Sequence, residues 1–491
     1  MTSTAPPADE PAQFFDVLIV GAGISGICAG HYLRSRCPSL RFCILEARAR
    51  LGGTWDLFRY PGIRSDSDMH TLGFSFHPWT DSETIADGPR IREYLEETAA
   101  ADGLHADMRF GRRVRRASWS SETGRWTVEV ETERGRERYS CRFLWGCTGY
   151  YRYDAGFTPT LPGVERFSGP VVHPQHWPED LAQEGRRFLV IGSGATAMSL
   201  VPALAKRARE VIMLQRSPTY LYERPRVDPV VRWLLRLLPP RWAAQVARAR
   251  GIVLIMLLFE AARLFPGPIR RFLLERVRAS LPESRRHMID PHFSPRYAPW
   301  DQRVCLIADG DLFSAIADGR VRVVTDHIET IDERGAQLRS GERVDADVLV
   351  TATGIELQVF GGVPLEVDGE PVSAGERMMY KGAMLDGVPN FAMTLGYTNL
   401  SWTIRCELTC EYVCRLLEHM SDRGYELCRP GAPPSDVQPE PLLNLNSGYV
   451  QRARGVVPMQ GSRGPWRFPQ NLFRDRKVVG GPVEDGVLEL R

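Results

Sequence analysis

Residues 15–26 read FDVLIVGAGISG, and residues 188–197 read FLVIGSGATA. Each is a short apolar run that enters a glycine turn, as expected of a central parallel strand buried on both faces. In the first, Gly21, Gly23 and Gly26 form G-x-G-x-x-G at the opening of a helix that extends to about residue 35. Gly21 permits the tight turn, Gly23 lets backbone approach a pyrophosphate, and Gly26 allows close helix–strand packing. The helix N-terminus then offers free N–H groups and a positive dipole to phosphates. The next strand, residues 41–45, ends at Glu46, 20 positions after Gly26 and placed to accept from a ribose hydroxyl. A carboxylate there repels a 2′-phosphate, so this turn suits FAD or NAD. The second turn is G-x-G-x-x-A, with Gly192, Ser193, Gly194, Ala195 and Thr196, and its following strand ends in Gln215 and Arg216. An arginine at that strand end supplies a permanent charge and a fork of donors, which predicts NADPH. Two such βαβ units, with Gly21 and Gly192 separated by 171 positions, predict an α/β protein with two Rossmann-like dinucleotide-binding domains.

The rest of the chain fits around this frame. Of its 491 residues 43% are hydrophobic and 25% charged, a balance that excludes disordered, collagenous and disulfide-scaffold classes. A net charge of +2 excludes a global nucleic-acid-binding surface. Ten cysteines without regular close pairs point to a reducing, cytoplasmic-type compartment. Residues 1–13 have no signal-peptide pattern and are expected to be disordered. The longest strongly apolar run, residues 252–259, is too short for a bilayer, which needs ~20 residues. Segments 125–130 and 137–143 alternate as antiparallel strands. Segments 144–150 and 348–354 both resemble strands that return to a nucleotide-binding sheet and turn at glycine. The expected organisation is FAD-binding 14–155, NADPH-binding 156–222, a helical insertion 223–298, NADPH-binding 299–345, FAD-binding 346–430 and a surface-wrapping tail 431–491. Residues 223–290 carry 14 Arg against 6 Asp and Glu, with an amphipathic, helical period. That window is either the roof of a substrate pocket, the preferred reading, or a patch that lies on a membrane.

The segment Gly52-Gly53-Thr54-Trp55 resembles the second flavin-contacting loop of two-dinucleotide flavoproteins. Trp55 stands where the disulfide reductases of that superfamily continue toward a redox cysteine, and no close cysteine pair is near, which argues against dithiol chemistry. Between the two units, Phe167, Gly169, His173, Trp177 and Pro178 form F-x-G-x-x-x-H-x-x-x-W-P. This linker resembles the fingerprint of the single-component, FAD- and NADPH-dependent Baeyer–Villiger monooxygenases, the class B flavoprotein monooxygenases. Residues 52–79, 191–220, 297–312 and 396–417 are similar to the ethionamide-activating subgroup of actinobacteria.

The resemblance implies a flavoprotein monooxygenase that uses a C4a-peroxyflavin. One atom of O2 enters a ketone to give an ester or lactone, or oxidises sulfur in a sulfide or thioamide. The substrate is expected to be small and apolar. Arg303 is implied as the catalytic cation, with Asp66 as the carboxylate that holds it. The FAD set carried by the resemblance is Gly21, Gly23, Ser25, Gly26, Glu46, Thr54, Trp55, Asp66, Val114, Asn399 and Arg64. The fingerprint His173 is expected to couple the two nucleotide domains. Two alternatives stay open: an N- or S-oxidising monooxygenase without ketone activity, and a flavin-binding redox or peripheral membrane protein that does not oxygenate. Cys406, Cys410 and Cys414 share one helical face and read as packing rather than a metal site. Trp466 and Arg467 are candidates for a mobile lid. The sequence carries no signature of oligomeric state.

Overall fold

The computed structural model describes residues 12–443 and 445–491. Most of the N-terminal segment expected to be disordered lies outside them, but Gln13 already begins the first strand. That strand, Gln13–Val20, has its four last residues buried, and it pairs in parallel with Phe42–Leu45 on one side and Gly135–Gly146 on the other. The sheet extends through Arg125–Thr132 and Arg113–Ser120, an antiparallel meander that covers the expected segments 125–130 and 137–143. The short strand Phe391–Met393 returns to this sheet beside Gly135–Gly146.

A second sheet is wholly parallel, in the order Val321–Thr325, Glu210–Gln215, Arg187–Ile191, Val348–Thr351, Val171–Val172. The two glycine turns have the same local construction. A Cβ on Gly21 would lie 2.6 Å from the Cys147 carbonyl oxygen, and one on Gly192 2.2 Å from that of Ala352. Both φ values are positive, +105° and +136°, so only glycine fits where the returning strand crosses behind each turn. Because Val348–Thr351 completes the second sheet, the chain crosses back to the first sheet beyond residue 351, not at 346.

The two crossings run side by side. Tyr151 bridges Leu357, and the Arg152 amide donates to the Glu356 carbonyl at 2.9 Å. The insertion is built on three longer helices, Pro229–Leu237, Pro240–Leu264 and Pro266–Ser280, followed by the short helix Ile289–Phe293. The middle one is long and apolar enough to cross a membrane by length and composition, which the eight-residue apolar run in the sequence does not reveal. It is anchored to the protein body instead: Arg248 donates to the Thr71 carbonyl at 3.0 Å and pairs with Glu407 at 3.2 Å.

Helix Trp402–Arg423 packs on helix Ile24–Arg36 through its cysteine face. Cys410 Sγ is 3.6 Å from Cys28 Sγ, and Cys406 Sγ is 3.4 Å from Ser25 Oγ. The tail wraps the first domain, pairing Leu488–Leu490 with Cys428–Pro430. Trp466 is not on a lid: it is 1% exposed and packs edge-on against Tyr380.

Candidate active site

A cavity of about 710 Å³ opens between the first glycine turn, the segment after Gly52, the start of helix Trp402–Arg423 and the insertion. Its volume suits a large organic ligand. Gly21, Gly23 and Ser25 line one end, with Glu46 beside them. Helix Ile24–Arg36 has no side-chain cap and no acid in its first turn, so its N–H groups remain available to an anion. Glu46 is buried, and its carboxylate accepts from the amides of Ala22 at 2.8 Å and Arg48 at 2.9 Å. Burial pushes its pKa up, and those two amides oppose the shift. Gly26 does not face the ligand: a Cβ there would strike the Gly21 carbonyl at 1.8 Å, so it serves the helix–strand approach.

Thr54, Trp55 and Val114 also line the cavity. Thr54 Oγ1 lies 3.3 Å from the Tyr153 hydroxyl, whose pKa burial pushes up to about 12. At the opposite end, residues 397–402 contribute a second helix N-terminus without a side-chain cap. Asn399 Nδ2 donates to the Gln470 carbonyl at 2.9 Å, while its Oδ1 is buried with no partner. A buried amide oxygen without a donor is costly unless a ligand provides one.

Arg303 and Asp66 meet on the cavity wall although 237 positions separate them. Arg303 Nη1 donates to Asp66 Oδ2 at 2.9 Å. Both side chains remain partly exposed, 35% and 43%, toward the cavity. Arg303 Nε has no partner. Burial works against the guanidinium charge, but Tyr150, Asp66 and Tyr449 outweigh it, so the group stays charged at any working pH. Arg303 in turn opposes the upward shift that burial imposes on the Tyr150 phenol.

Several groups that sequence reasoning did not single out share this wall. Asp68 accepts from the His70 amide at 2.8 Å and from Arg224 at 2.5 Å. Burial alone pushes Asp68 up, but the His70 and Arg224 contacts prevail and hold it below the usual carboxylate range. Tyr150, Tyr151 and His176 also line the cavity. The signal for Asp68 lay in Ser65-Asp66-Ser67-Asp68, where two carboxylates alternate. The roof helix contributes Gly251, Ile255 and Leu258, one turn-spaced face, which favours the pocket-roof reading of the insertion.

Two expected cofactor contacts are spent elsewhere. Arg64 is nearly buried and forms a two-pronged pair with Asp311, with Nη2 3.3 Å from Oδ1, and it does not line the cavity. Gln215 turns into the second domain, donating to the His292 carbonyl at 2.7 Å and Thr325 Oγ1 at 2.9 Å. Its strand position is close to the second turn, but its amide is committed to packing.

The second glycine turn lies outside the cavity. Helix Ala195–Leu204 starts after Gly194 with no side-chain cap and no acid in its first turn. A Cβ on Gly194 would meet nothing within 4 Å, leaving an open cradle against uncapped amides. Ser193 Oγ donates to the Ser217 carbonyl at 3.3 Å, and Arg216 is exposed beside this loop. Ala195 and Thr196 supply the first helical amides.

The fingerprint segment sits where the two crossings pair. His173 Nε2 is 3.1 Å from the Gly354 carbonyl, and its Nδ1 accepts from the Gln175 amide at 3.2 Å. These partners define a neutral ring protonated on Nε2, and burial pushes its pKa down. Gly169 is needed because a Cβ would lie 2.3 Å from the Asp347 carbonyl. Phe167 and Trp177 are buried in the packing around it.

Two Rossmann-like domains, a large cavity beginning at the first glycine turn and an open, uncapped helix N-terminus at the second define a two-dinucleotide flavoprotein. Residues 16–229 match the family described as flavin-binding monooxygenase-like. The chain is 47% identical over 475 residues to the FAD-containing monooxygenase EthA of Mycobacterium tuberculosis, covering 96% of this chain and 97% of that one. Among solved structures it is similar to an oxidized steroid monooxygenase bound to NADP, with a TM-score of 0.76 and 25% identity over 97% of this chain and 99% of that one. A Rhodococcus cyclohexanone monooxygenase bound to NADP+ shares the fold, with a TM-score of 0.75 and 21% identity over 98% and 100%. The chain belongs to the FAD-containing monooxygenases of the flavin-binding monooxygenase family. It is an FAD- and NADP-dependent oxidoreductase.

Proposed function

We propose that the enzyme transfers one oxygen atom of O2 to a small apolar ketone, giving an ester or lactone, and to sulfur in sulfides or thioamides. The balance is ketone + O2 + NADPH + H⁺ giving ester + H2O + NADP⁺. Bound FAD supplies the electron transfer from NADPH and the activation of O2. The residues around the cavity suit its shape and charge. Gly21, Gly23, Ser25 and the helix amides would take the pyrophosphate, and Glu46 the ribose. Thr54, Trp55, Val114 and Asn399 would border the remainder. Gly192, Ser193, Gly194, Ala195 and Thr196 would hold the NADPH pyrophosphate, with Arg216 at its 2′-phosphate.

The observation that carries the reading is the Arg303–Asp66 pair on the wall of this cavity. Attack on a carbonyl makes an anionic tetrahedral adduct, and a fixed guanidinium stabilises that charge without having to reorient. Asp66 keeps the guanidinium plane oriented. The relatives' names support the same class: one structural neighbour is named for steroids and another for cyclohexanone. The roof helix lines the cavity with Ile255 and Leu258, so the substrate end is apolar.

The test is turnover under 18O2 with a cyclic ketone and an aryl methyl sulfide, read by mass spectrometry. One labelled oxygen in both products supports the proposal. Labelled sulfoxide without ester reduces the activity to sulfur oxidation. NADPH consumption matched entirely by hydrogen peroxide overturns oxygen transfer to these substrates.

A further inference from the structure

We propose that the outer face of the helical insertion docks on an anionic lipid bilayer, making helix Pro240–Leu264 the shared wall between the membrane and the cavity. The inference concerns a surface the oxygen-transfer reading does not use. Along this helix, beside Leu254 on one flank, five large apolar side chains are exposed, Trp242, Val246, Val253, Leu257 and Leu264, between 44% and 70%. Their spacings of four and seven put them on one stripe at 3.6 residues per turn. The opposite face carries Gly251, Ile255 and Leu258 toward the cavity, with Ala244 and Ala262 buried. The helix is therefore apolar on both sides, and only one side is covered by protein.

The preceding helix extends the surface. Trp233 and Leu237 are 59% and 60% exposed, and Phe265, just beyond the long helix, is 61% exposed. Tryptophans at the edge of an apolar patch suit the headgroup boundary. The charge points to the same partner. Arg232, Arg236 and Arg241 are exposed at the rim of this surface, where Arg232 and Arg236 border a groove that also holds Asp81 and Glu97, and none of the three forms an ion pair among the described residues. Glu260 is the only acid in helix Pro240–Leu264. A polybasic, apolar face of this kind is attracted to anionic headgroups.

Two other occupants fit less well. A symmetric contact with a second copy would bring the same arginine-rich face against itself, which costs like-charge repulsion. A transmembrane span would require release of Arg248 from Glu407 and of Arg250 from Asp228, which it pairs at 2.7 Å. The helix lies on the bilayer rather than crossing it.

The experiment is flotation of the FAD-loaded enzyme with phosphatidylcholine vesicles, with and without phosphatidylglycerol, at low and high salt. Binding is expected only where phosphatidylglycerol is present, and to weaken with salt. Replacing Arg232, Arg236 and Arg241 together by Ser is expected to lower partitioning by about 100-fold, about fivefold per charge. Trp233→Ser with Trp242→Ser and Leu257→Ser is expected to remove binding. Both variants should keep their flavin absorbance, melting temperature and turnover of a water-soluble substrate, so failure of docking is separate from failure of the proposed chemistry. No binding of the wild-type enzyme to anionic vesicles at low salt overturns the proposal. So does wild-type binding by both variants. A concentration-dependent dimer that the apolar variant abolishes, with vesicle binding unchanged, assigns the face to a second copy instead.

Discussion

Replacing Arg303 by Ala should separate the two halves of the catalytic cycle. The guanidinium touches Asp66 through Nη1 at 2.9 Å, and its buried Nε has no partner. It makes no contact with the second glycine turn, so reduction by NADPH under anaerobic conditions should stay within about threefold of wild type. Oxygen transfer should fall by about 10²–10³, the loss seen when one preorganised donor is removed from a developing anion. NADPH should then be consumed with release of hydrogen peroxide. Asp66→Asn should cost far less. Its carboxylate is 43% exposed, so screening limits the pair to about 1 kcal/mol, or about fivefold in rate. If Asp66 acts by positioning Arg303, the double variant should match Arg303→Ala. The assay is labelled product formed per NADPH consumed, beside a separate measurement of flavin reduction. Normal coupling in Arg303→Ala refutes the assignment of the cation. A further fivefold loss on adding Asp66→Asn to Arg303→Ala refutes the positioning role of the carboxylate.

Other residues give sharper contrasts between folding and binding. Gly194→Ala should leave melting temperature unchanged, because its Cβ meets nothing, yet raise the KM for NADPH by roughly tenfold where backbone must approach a pyrophosphate. Gly192→Ala should instead lower stability, since its φ is +136° and its Cβ would strike Ala352; circular-dichroism melts of the two distinguish the effects. Asn399→Leu should weaken FAD retention by about fivefold, the value of one hydrogen bond, measured by fluorescence of released flavin. His173 is held neutral by burial, with its pKa below the ordinary 6.5. Below pH 6.5 the unfolded chain therefore binds the proton first, and stability falls as pH drops toward the folded value. The melting-temperature advantage of wild type over His173→Asn should shrink over that range; a constant difference contradicts the neutral assignment.

The first glycine of each turn, Gly21 and Gly192, was legible because a carbonyl of the returning strand occupies the space where a Cβ would stand. The returning strands themselves were legible from short apolar runs ending in glycine. Side-chain direction was not. Arg64 and Arg303 both resemble cofactor-side arginines, but Asp311 captures Arg64, and only the packing of helix Asp311–Ala317 reveals it. Gln215 stands at the correct strand end, yet its neighbours His292 and Thr325 draw its amide inward. Val348–Thr351 carries the same pattern as strand Gly135–Gly146, and pattern alone does not say which sheet receives it. The long roof helix was hidden because Arg248 and Arg250 interrupt its apolar run; Arg248 finds its partner, Glu407, on the body, and Arg250 finds Asp228 within the insertion.

One loop explains why the Arg303–Asp66 pair exists only in the assembled protein. Residues 58–68 leave the first domain and make several contacts beyond it, three of which frame the site. Tyr60 shares a hydrogen bond with Ser199 at 3.2 Å, Arg64 pairs with Asp311, and Asp66 pairs with Arg303. Gly62 makes the approach feasible, because a Cβ there would lie 2.5 Å from the Ser199 carbonyl at a φ of +79°. Two of these contacts reach helices of the second domain, and the third places a cation at the cavity. The site's positive charge is thus fixed by the same contacts that hold the domains together, and a loosened interface would leave Arg303 without its orienting carboxylate. The linker acts on the paired crossings from the other side, where His173 grips the Gly354 carbonyl. Substitutions at Gly62 or His173 should therefore reduce coupling of NADPH to product although neither residue lines the cavity.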